Sequence, residues 1–506
     1  MKRIPDLCAQ RAMLTPDAPA FADPIGGRVW SFGEIERRVG RGAALLRGLK
    51  ITEGDRIAVL CHNSVAFFEL LFACARAKVI LVPLNWRQTP AELTPVLDDS
   101  GAKLLIHDGP TADLASKLAA ATRLPIRSLT EWDAQCSEPG DSLAPTEWET
   151  DAPWYLLYTS GTTGKPKAVI QTAGMALANM INVQTATGIG PETKSLNFLP
   201  LFHTAGINLH TLPVFFVGGL SQVLPKFDVD LVLSLIQQGG ITVFFGVPAI
   251  YQAISLHPAF ENTDFSGVKH WGCGGAPISA ALIQTFLARG VNICNGMGMT
   301  ETGPTVFFMD RAHAPTKIGS VGKPQLLSEV RLVGADGGDV ADGEDGELWF
   351  RGPGITPGYF NNPMATEGAF APGGWLRSGD IARRDHDGYV TIVDRIKDMY
   401  ISGGENVYPA EVEHVLQAHP AVLEAAVVGV ADEKWGEVGH AAVILRPGHS
   451  AEPGLLQQYA RGLLATYKVP KHITIVTDFP RTAAGKVQKH HLRAALTAPH
   501  PSESPE

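Results

Sequence analysis

The densest chemistry in the sequence lies in Thr159-Ser160-Gly161-Thr162-Thr163-Gly164-Lys165, directly after an apolar run ending at Tyr158. Glycine lets the backbone turn tightly and approach a ligand closely. The hydroxyls and the Lys165 amine supply donors and one positive charge, and turn amides form a nest for an anion. The stretch is not a Walker A loop, because Pro166 follows Lys165 and the glycines stand too close together. Taken alone, these residues fit either a polyphosphate cradle or a polar hairpin turn.

Further unusual residues gather where short apolar runs end: Leu199–His203, Gly246-Val247-Pro248, Gly272–Pro277 and Asn295–Glu301. Those runs alternate with helical patterns. Ser195–Leu199, Thr242–Phe245, Lys269–Gly272 and Val291–Cys294 read as strands, and Asp230–Gln238, Pro248–Leu256 and Ser279–Ala288 as helices. Strand–helix alternation also runs through residues 31–110, where Ser31 and Glu34 form a candidate capping box. Such alternation predicts parallel sheets covered by helices, an α/β fold. In open sheets of this kind ligands bind beyond the carboxyl ends of the strands, so four Gly- and Pro-rich ends suggest one large site.

Residues 125–150 read as irregular surface loop. Residues 318–396 are dense in Gly and Asp with short strands, which predicts a β-rich subdomain. From Met399 a small α+β unit is expected, and the polar tail 500–506 is expected to be disordered. The resulting division is a large unit over 1–396 and a small unit over 399–499.

Composition removes several function classes. A net charge of −9 argues against non-specific nucleic-acid binding. No apolar stretch approaches the ~20 residues that a membrane helix requires, and no signal peptide is visible at the amino terminus. Six scattered cysteines without a C-x-x-C pair predict reduced thiols in a cytoplasmic protein. The absence of a Gly-x-Gly-x-x-Gly fingerprint makes a nicotinamide enzyme a poor fit.

In this order the motifs YTSGTTGKPK (158–167), LPLFHTAG (199–206), GCGGAP (272–277), GMGMTETG (296–303), RSGD (377–380), DRIKD (394–398), SGGENVYPAEVE (402–413) and PRTAAGKV (480–487) resemble the adenylate-forming superfamily. That superfamily includes acyl- and aryl-CoA synthetases, luciferases and peptide-synthetase adenylation domains. The resemblance implies large doubly wound αβα subdomains, a β-rich subdomain and a small mobile α+β domain at the carboxyl end. It implies an ATP-dependent acid–CoA ligase, in which a carboxylate attacks the α-phosphate of ATP and coenzyme A then displaces AMP. The alternatives it leaves are a carrier-loading adenylation enzyme and a luciferase-like oxygenase. Similarity to the CoA enzymes around Trp435 favours the ligase.

Roles carry over residue by residue. Thr159, Ser160, Gly161, Thr162, Thr163, Gly164 and Lys165 match the loop around the β- and γ-phosphates. Thr159 and Glu301 match the positions that hold Mg²⁺, and Thr300 the donor to the α-phosphate. Gly274, Gly275, Ala276 and Pro277 match the adenine wall, with Asn295, Gly296, Met297 and Gly298 beside it. Met297 stands where the family often has a stacking aromatic ring. Asp380 and Arg395 match the ribose ligands, and Lys486 the lysine that bridges substrate carboxylate and α-phosphate. Lys397 matches the hinge, while Gly403, Gly404 and Trp435 match the coenzyme A side.

His203 joins the catalytic candidates and, with Thr204, Asn208, Val247, Tyr251, Gly272, Cys273, Gly296, Met297 and Thr305, matches the acyl pocket. None of these is Lys or Arg, so a second substrate carboxylate would be buried unpaired. The expected partner is a small monocarboxylic acid, aryl, phenylpropenoid or medium-chain fatty. No nucleic acid or integral membrane partner is expected, and the oligomeric state, a homodimer included, stays open.

Overall fold

The computed structural model describes residues 2–159, 166–402, 405–482 and 485–497. Ser160–Lys165, Gly403, Gly404 and the tail 500–506 therefore lie outside the described residues.

Two large sheets form the body of the protein. A six-stranded sheet is ordered Lys167–Thr172, Pro153–Thr159, Ile80–Pro83, Arg56–Leu60, Leu104–His107, Ile126–Ser128. All its pairs are parallel except the first, an antiparallel ladder with Lys167 opposite Thr159. A nine-stranded sheet carries parallel Lys194–Asn197, Val243–Gly246, His270–Cys273 and Ile293–Met297 in its centre. These strands are largely buried on both faces, as helices on either side require. The β-rich part is a five-stranded sheet built on Asp345–Arg351 and the ten-residue strand Trp375–Arg384. The small carboxyl-terminal unit has its own five-stranded sheet, centred on Val422–Asp432 and Gly436–Leu445, and its own core of Tyr400, Val407, Val412, Val427 and Val443. The fold is α/β with the expected αβα, β-rich and α+β parts.

Local signals explain most boundaries. Ser31 Oγ accepts from the Glu34 amide at 3.2 Å and opens the helix Phe32–Gly48. The reciprocal half of the expected capping box is replaced, because the Glu34 carboxylate takes Arg28 at 2.6 Å instead.

The reading of 125–150 as irregular loop is wrong in its first half. Ile126–Ser128 is a strand, and Leu129–Ser137 is a helix opened by a complete capping box of Ser128 and Glu131. Leu129, Trp132 and Cys136 recur at helical spacing and are buried. Trp132 reaches the core because position 42 is glycine: a Cβ there would stand 2.6 Å from the indole Cζ2. Arg38, buried to 3 % exposure, ties the same helix down through Ser137 and Asp133 while pairing with buried Glu69 at 2.6 Å.

Trp132→Ala should cost about 3–5 kcal/mol of stability, the range for truncating a large buried aromatic. Chemical denaturation measures it. A loss below about 1 kcal/mol would contradict the packing described.

Candidate functional site

The carboxyl ends of the central strands supply the floor of the site. After His270–Cys273 the chain turns through Gly274 and Gly275. A Cβ on Gly274 would lie 2.9 Å from the Gly296 carbonyl, and Gly275 has φ +82°, so both positions favour glycine. Gly298 admits no side chain, because a Cβ would overlap the Pro304 carbonyl oxygen. Met297 ends the strand Ile293–Met297 opposite Phe307 and packs partly into the core around Phe307 and Phe350. Asn295 turns its amide to the Ser320 carbonyl at 3.3 Å, and its own carbonyl accepts from Met309.

Thr300 and Glu301 follow in a short 3₁₀ turn. The Thr300 carbonyl accepts from Gln171 Nε2 at 2.9 Å, fixing the turn to the strand Lys167–Thr172. Glu301 is buried, which raises its carboxyl pKa; Tyr359, Arg395 and Lys167 draw it back down. The Tyr359 hydroxyl donates to Glu301 Oε1 at 2.9 Å. The segment holding Tyr359 runs beside that strand, with the Ile170 amide bonded to Gly358 and the Phe360 amide to Ala168. Thr159 stands at the mouth of the same ladder, its hydroxyl 3.4 Å from the Lys167 carbonyl. Thr159 and Lys167 thus face each other as the ends of two antiparallel strands.

The magnesium site can be tested against these residues. Among the described residues no group of three or more His, Cys, Asp or Glu converges on a point. Magnesium commonly takes one or two protein oxygens and fills its octahedron with phosphate and water. A single buried carboxylate, Glu301, oriented by Tyr359, fits that habit.

Asp380 and Arg395 are cross-strand partners, and Arg395 Nε meets Asp380 Oδ1 at 2.9 Å. Asp380 is 5 % exposed. Lys486 comes to the same spot from the other end of the chain. Its turn is closed by the Thr482 amide on the Lys486 carbonyl at 2.7 Å and anchored by Arg481 to Glu424 at 2.7 Å. The Gly485 backbone abuts the floor, since a Cβ there would lie 3.8 Å from Val247 Cγ2 and 4.0 Å from Ala249 Cβ. Val247 is also 3.5 Å from where a Gly275 Cβ would be. Burial lowers the Lys486 pKa to about 8, Arg395 and Lys397 push it the same way, and Asp380 and Asp398 oppose them.

The joint at Lys397 is an exposed turn in which the Arg395 carbonyl accepts from Asp398 and Met399. Next to it the Asp394 carboxylate crosses between the units and takes the Ala410 amide at 2.9 Å, in the first turn of the helix Pro409–Gln417. Lys489 and Glu413 pair at 2.8 Å nearby. Trp435, 45 % exposed, lies on the turn before Gly436, and Gly436 pairs with Ser402. Ser402 is therefore beside the turn that carries Trp435.

The acyl-pocket residues divide. His203 is neutral, its pKa pushed down to about 4 by burial and by Arg87, and its Nε2 has no hydrogen-bond partner among the described residues. Asn208 Nδ2 reaches Gln171 and Thr204, and Thr305 donates to Asn179 at 2.8 Å. Tyr251 and Cys273 do not join them. They face the opposite side of their elements, packed with Phe244, Trp271 and Phe286 in a separate core, with the Tyr251 hydroxyl on the Gly272 carbonyl. Strand alternation is the reason: Gly272 shares a face with His270, and Cys273 shares one with Trp271. Sequence reasoning missed Gln171, Tyr359, Arg87, Phe245, His210, His270 and Phe308. Gly272, Gly274 and Gly296 were the available signal for the phenylalanines, since their absent side chains leave room for Phe245 and Phe308.

Comparison with known proteins agrees with this geometry. Residues 8–360 match the family described as "AMP-binding enzyme", and residues 411–486 match "AMP-binding enzyme C-terminal domain". The chain is 42 % identical over 484 residues to a feruloyl-CoA synthase from Amycolatopsis, covering 96 % of this chain and 97 % of that one. It is 34 % identical to an indoleacetate–CoA ligase from Aromatoleum aromaticum, covering 96 % of each. Among solved structures, the o-succinylbenzoate CoA synthetase of Bacillus subtilis in complex with its acyl-adenylate superposes with a TM-score of 0.89 at 31 % identity, over the full length of both chains. The matched motifs, the shared fold and the full-length relatives lead to one assignment: this chain belongs to the AMP-binding enzyme family of adenylate-forming acyl-CoA synthetases.

Proposed function

We propose that this chain ligates an aromatic monocarboxylic acid to coenzyme A in two steps. In the first, a carboxylate oxygen of the acid bonds to the α-phosphorus of ATP and pyrophosphate leaves. In the second, the coenzyme A sulfur bonds to the acyl carbon and AMP leaves. The observation that carries the reading is Lys486, brought from the carboxyl-terminal unit to the Asp380–Arg395 pair and the Val247 floor.

In this assignment Lys486 steers the attacking carboxylate to the α-phosphate, joined by Thr300, because two anions must meet and fixed donors lower that barrier. Asp380 accepts the ribose hydroxyls, with Arg395 beside it. Glu301, oriented by Tyr359, and Thr159 hold Mg²⁺, which when bound neutralises phosphate charge. The loop Thr159–Lys165 takes the β- and γ-phosphates, and Gly274–Pro277 with Met297 cover the adenine. The domains divide at 397–398, and rotation about this turn exchanges Lys486 for the coenzyme A edge around Gly403, Gly404 and Trp435. Separate cores on either side of an exposed turn support that hinge.

Resemblance to the feruloyl and indoleacetate enzymes supports an aryl acid. The sequence-derived acyl pocket carries no cation, although Arg87 stands beside His203, stacked on Trp86 at 4.5 Å. We place the enzyme in the cytoplasm, consistent with six free, buried cysteines. Among the described residues no helix is long and apolar enough to cross a membrane.

Acid-dependent ATP–pyrophosphate exchange tests the first step, and coenzyme A-dependent AMP release tests the second. Lys486→Ala should cut exchange by about a hundred- to a thousandfold, the usual effect of removing one positioned donor, while thioester formation from supplied acyl-adenylate persists. Equal loss of both steps would overturn the role.

The pH profile follows from the lowered pKa. The ammonium is the working form, present below about 8 and lost above it. kcat/KM for ATP in the exchange reaction should therefore fall as pH rises through about 8. A profile flat to pH 10 would contradict it.

A further inference from the structure

His210 and His270 have no role in the reading above, yet they are unusual. They are 7 % and 6 % exposed, and the Nε2 atom of each is buried without a hydrogen-bond partner among the described residues. Their rings stand edge to face with centroids 6.4 Å apart. Around them lie Phe245, 6.2 Å from His210, and Phe308, 5.9 Å from His270. Leu209, Val214 and Val243 complete an apolar cluster. Burial holds both imidazoles neutral: His210 is lowered to about 3, with His270 adding to the effect, and His270 to about 4, with Arg311 adding. Buried polar atoms normally find partners, and each exception requires an explanation.

Position supplies one. A Cβ built on Gly272 would lie 3.6 Å from His270 Nε2 and 2.8 Å from Phe245, so the unpartnered nitrogen opens on the face of that strand matched to the acyl pocket. Gly296 likewise abuts Phe308 at 3.3 Å. A neutral imidazole nitrogen either donates or accepts, according to its tautomer. A hydroxyl oxygen does both, and one oxygen at about 2.8 Å from each of two nitrogens bridges a gap of up to about 5.6 Å. A methyl terminus satisfies neither nitrogen, and a second carboxylate would bring an unpaired charge into an apolar cluster.

We infer that His210 and His270 form the distal end of the acyl pocket and read a ring hydroxyl on the aromatic acid, remote from its carboxylate. Phe245 and Phe308 flank the ring, while the two imidazoles exchange hydrogen bonds with the hydroxyl. The histidines act on specificity and take no part in the adenylation chemistry. This inference rests on the aryl acid–CoA ligase reading.

The test compares 4-hydroxycinnamate with cinnamate in ATP–pyrophosphate exchange, as the ratio of kcat/KM. The wild type should prefer the hydroxylated acid by at least tenfold. His210→Leu and His270→Leu should each shrink that preference to within threefold and leave cinnamate exchange within a few-fold of wild type. His270→Gln, which keeps a hydrogen-bonding side chain, should retain part of the preference and guards against a leucine variant that folds poorly. Wild-type discrimination below threefold, or full discrimination kept in both leucine variants, overturns the inference while leaving the ligase reading intact. Failure of the ligase reading has a different signature, no exchange with either acid.

Discussion

The site depends on one electrostatic constraint: three cations, Arg395, Lys397 and Lys486, crowd around the carboxylates Asp380 and Asp398. Lys486 bears the cost, first through its burial and then through Arg395 and Lys397: a depression from 10.5 to about 8 corresponds to about 3 kcal/mol against its ammonium. Such crowding is tolerable in a site meant for a polyanion, whose phosphates would return that energy on binding. The contacts that press Lys486 inward come from the junction between units. Asp394 accepts from the first turn of the helix Pro409–Gln417, where a helix favours negative charge. Burial pushes the Asp394 carboxyl up to about 6, with Lys489 drawing it down. In the described arrangement the carboxyl-terminal unit therefore brings Lys486 beside Asp380 and Arg395.

A second framework joins the phosphate end to the acyl end. Thr300 is bonded to Gln171, Gln171 to Asn208, and Asn208 to Thr204, while Thr305 holds Asn179, whose amide reaches the Asn208 carbonyl at 2.5 Å. The links come from the strand Lys167–Thr172, the helix Ala173–Thr187, the 3₁₀ turn Thr300–Thr302 and the π-helical turn Ala205–Leu209 with its N-cap Thr204. In the proposed assignment, fixed donors of this kind would hold the reacting carboxylate and the α-phosphate in register, which lowers the barrier by positioning. The glycines at 272, 274 and 296 make the complementary contribution, by letting aromatic side chains set the depth of the acyl pocket.

Local order was legible in the sequence. Alternating strands and helices, the glycine-rich strand ends and the small carboxyl-terminal unit follow from periodicity and turn chemistry, and Ser31 opens its helix as read. The helix Leu129–Ser137 was also legible, through Ser128-x-x-Glu131 and the spacing of Leu129, Trp132 and Cys136, but the polar residues around it masked the stripe. Side-chain orientation was harder. Tyr251 and Cys273 are close in sequence to pocket residues yet point into a core, Cys273 because adjacent strand residues face opposite ways and Tyr251 on the buried face of the helix Pro248–Ser255. Long-range partners were not legible. Nothing near Tyr359 indicates that its hydroxyl holds Glu301, and nothing near Lys486 alone indicates Asp380; only resemblance linked that pair. The tight fit of His270 against Gly272 needed coordinates as well.

The central claim is that Lys486 is a suppressed cation awaiting phosphate. The most direct measurement is the titration of its Nζ by NMR of labelled lysine, in the free protein and with a non-hydrolysable ATP analogue and magnesium. The account predicts a midpoint near 8 in the free protein and a rise toward the ordinary lysine value of about 10.4 with the analogue bound. A free-protein midpoint already near that ordinary value, or no change on binding, would contradict it.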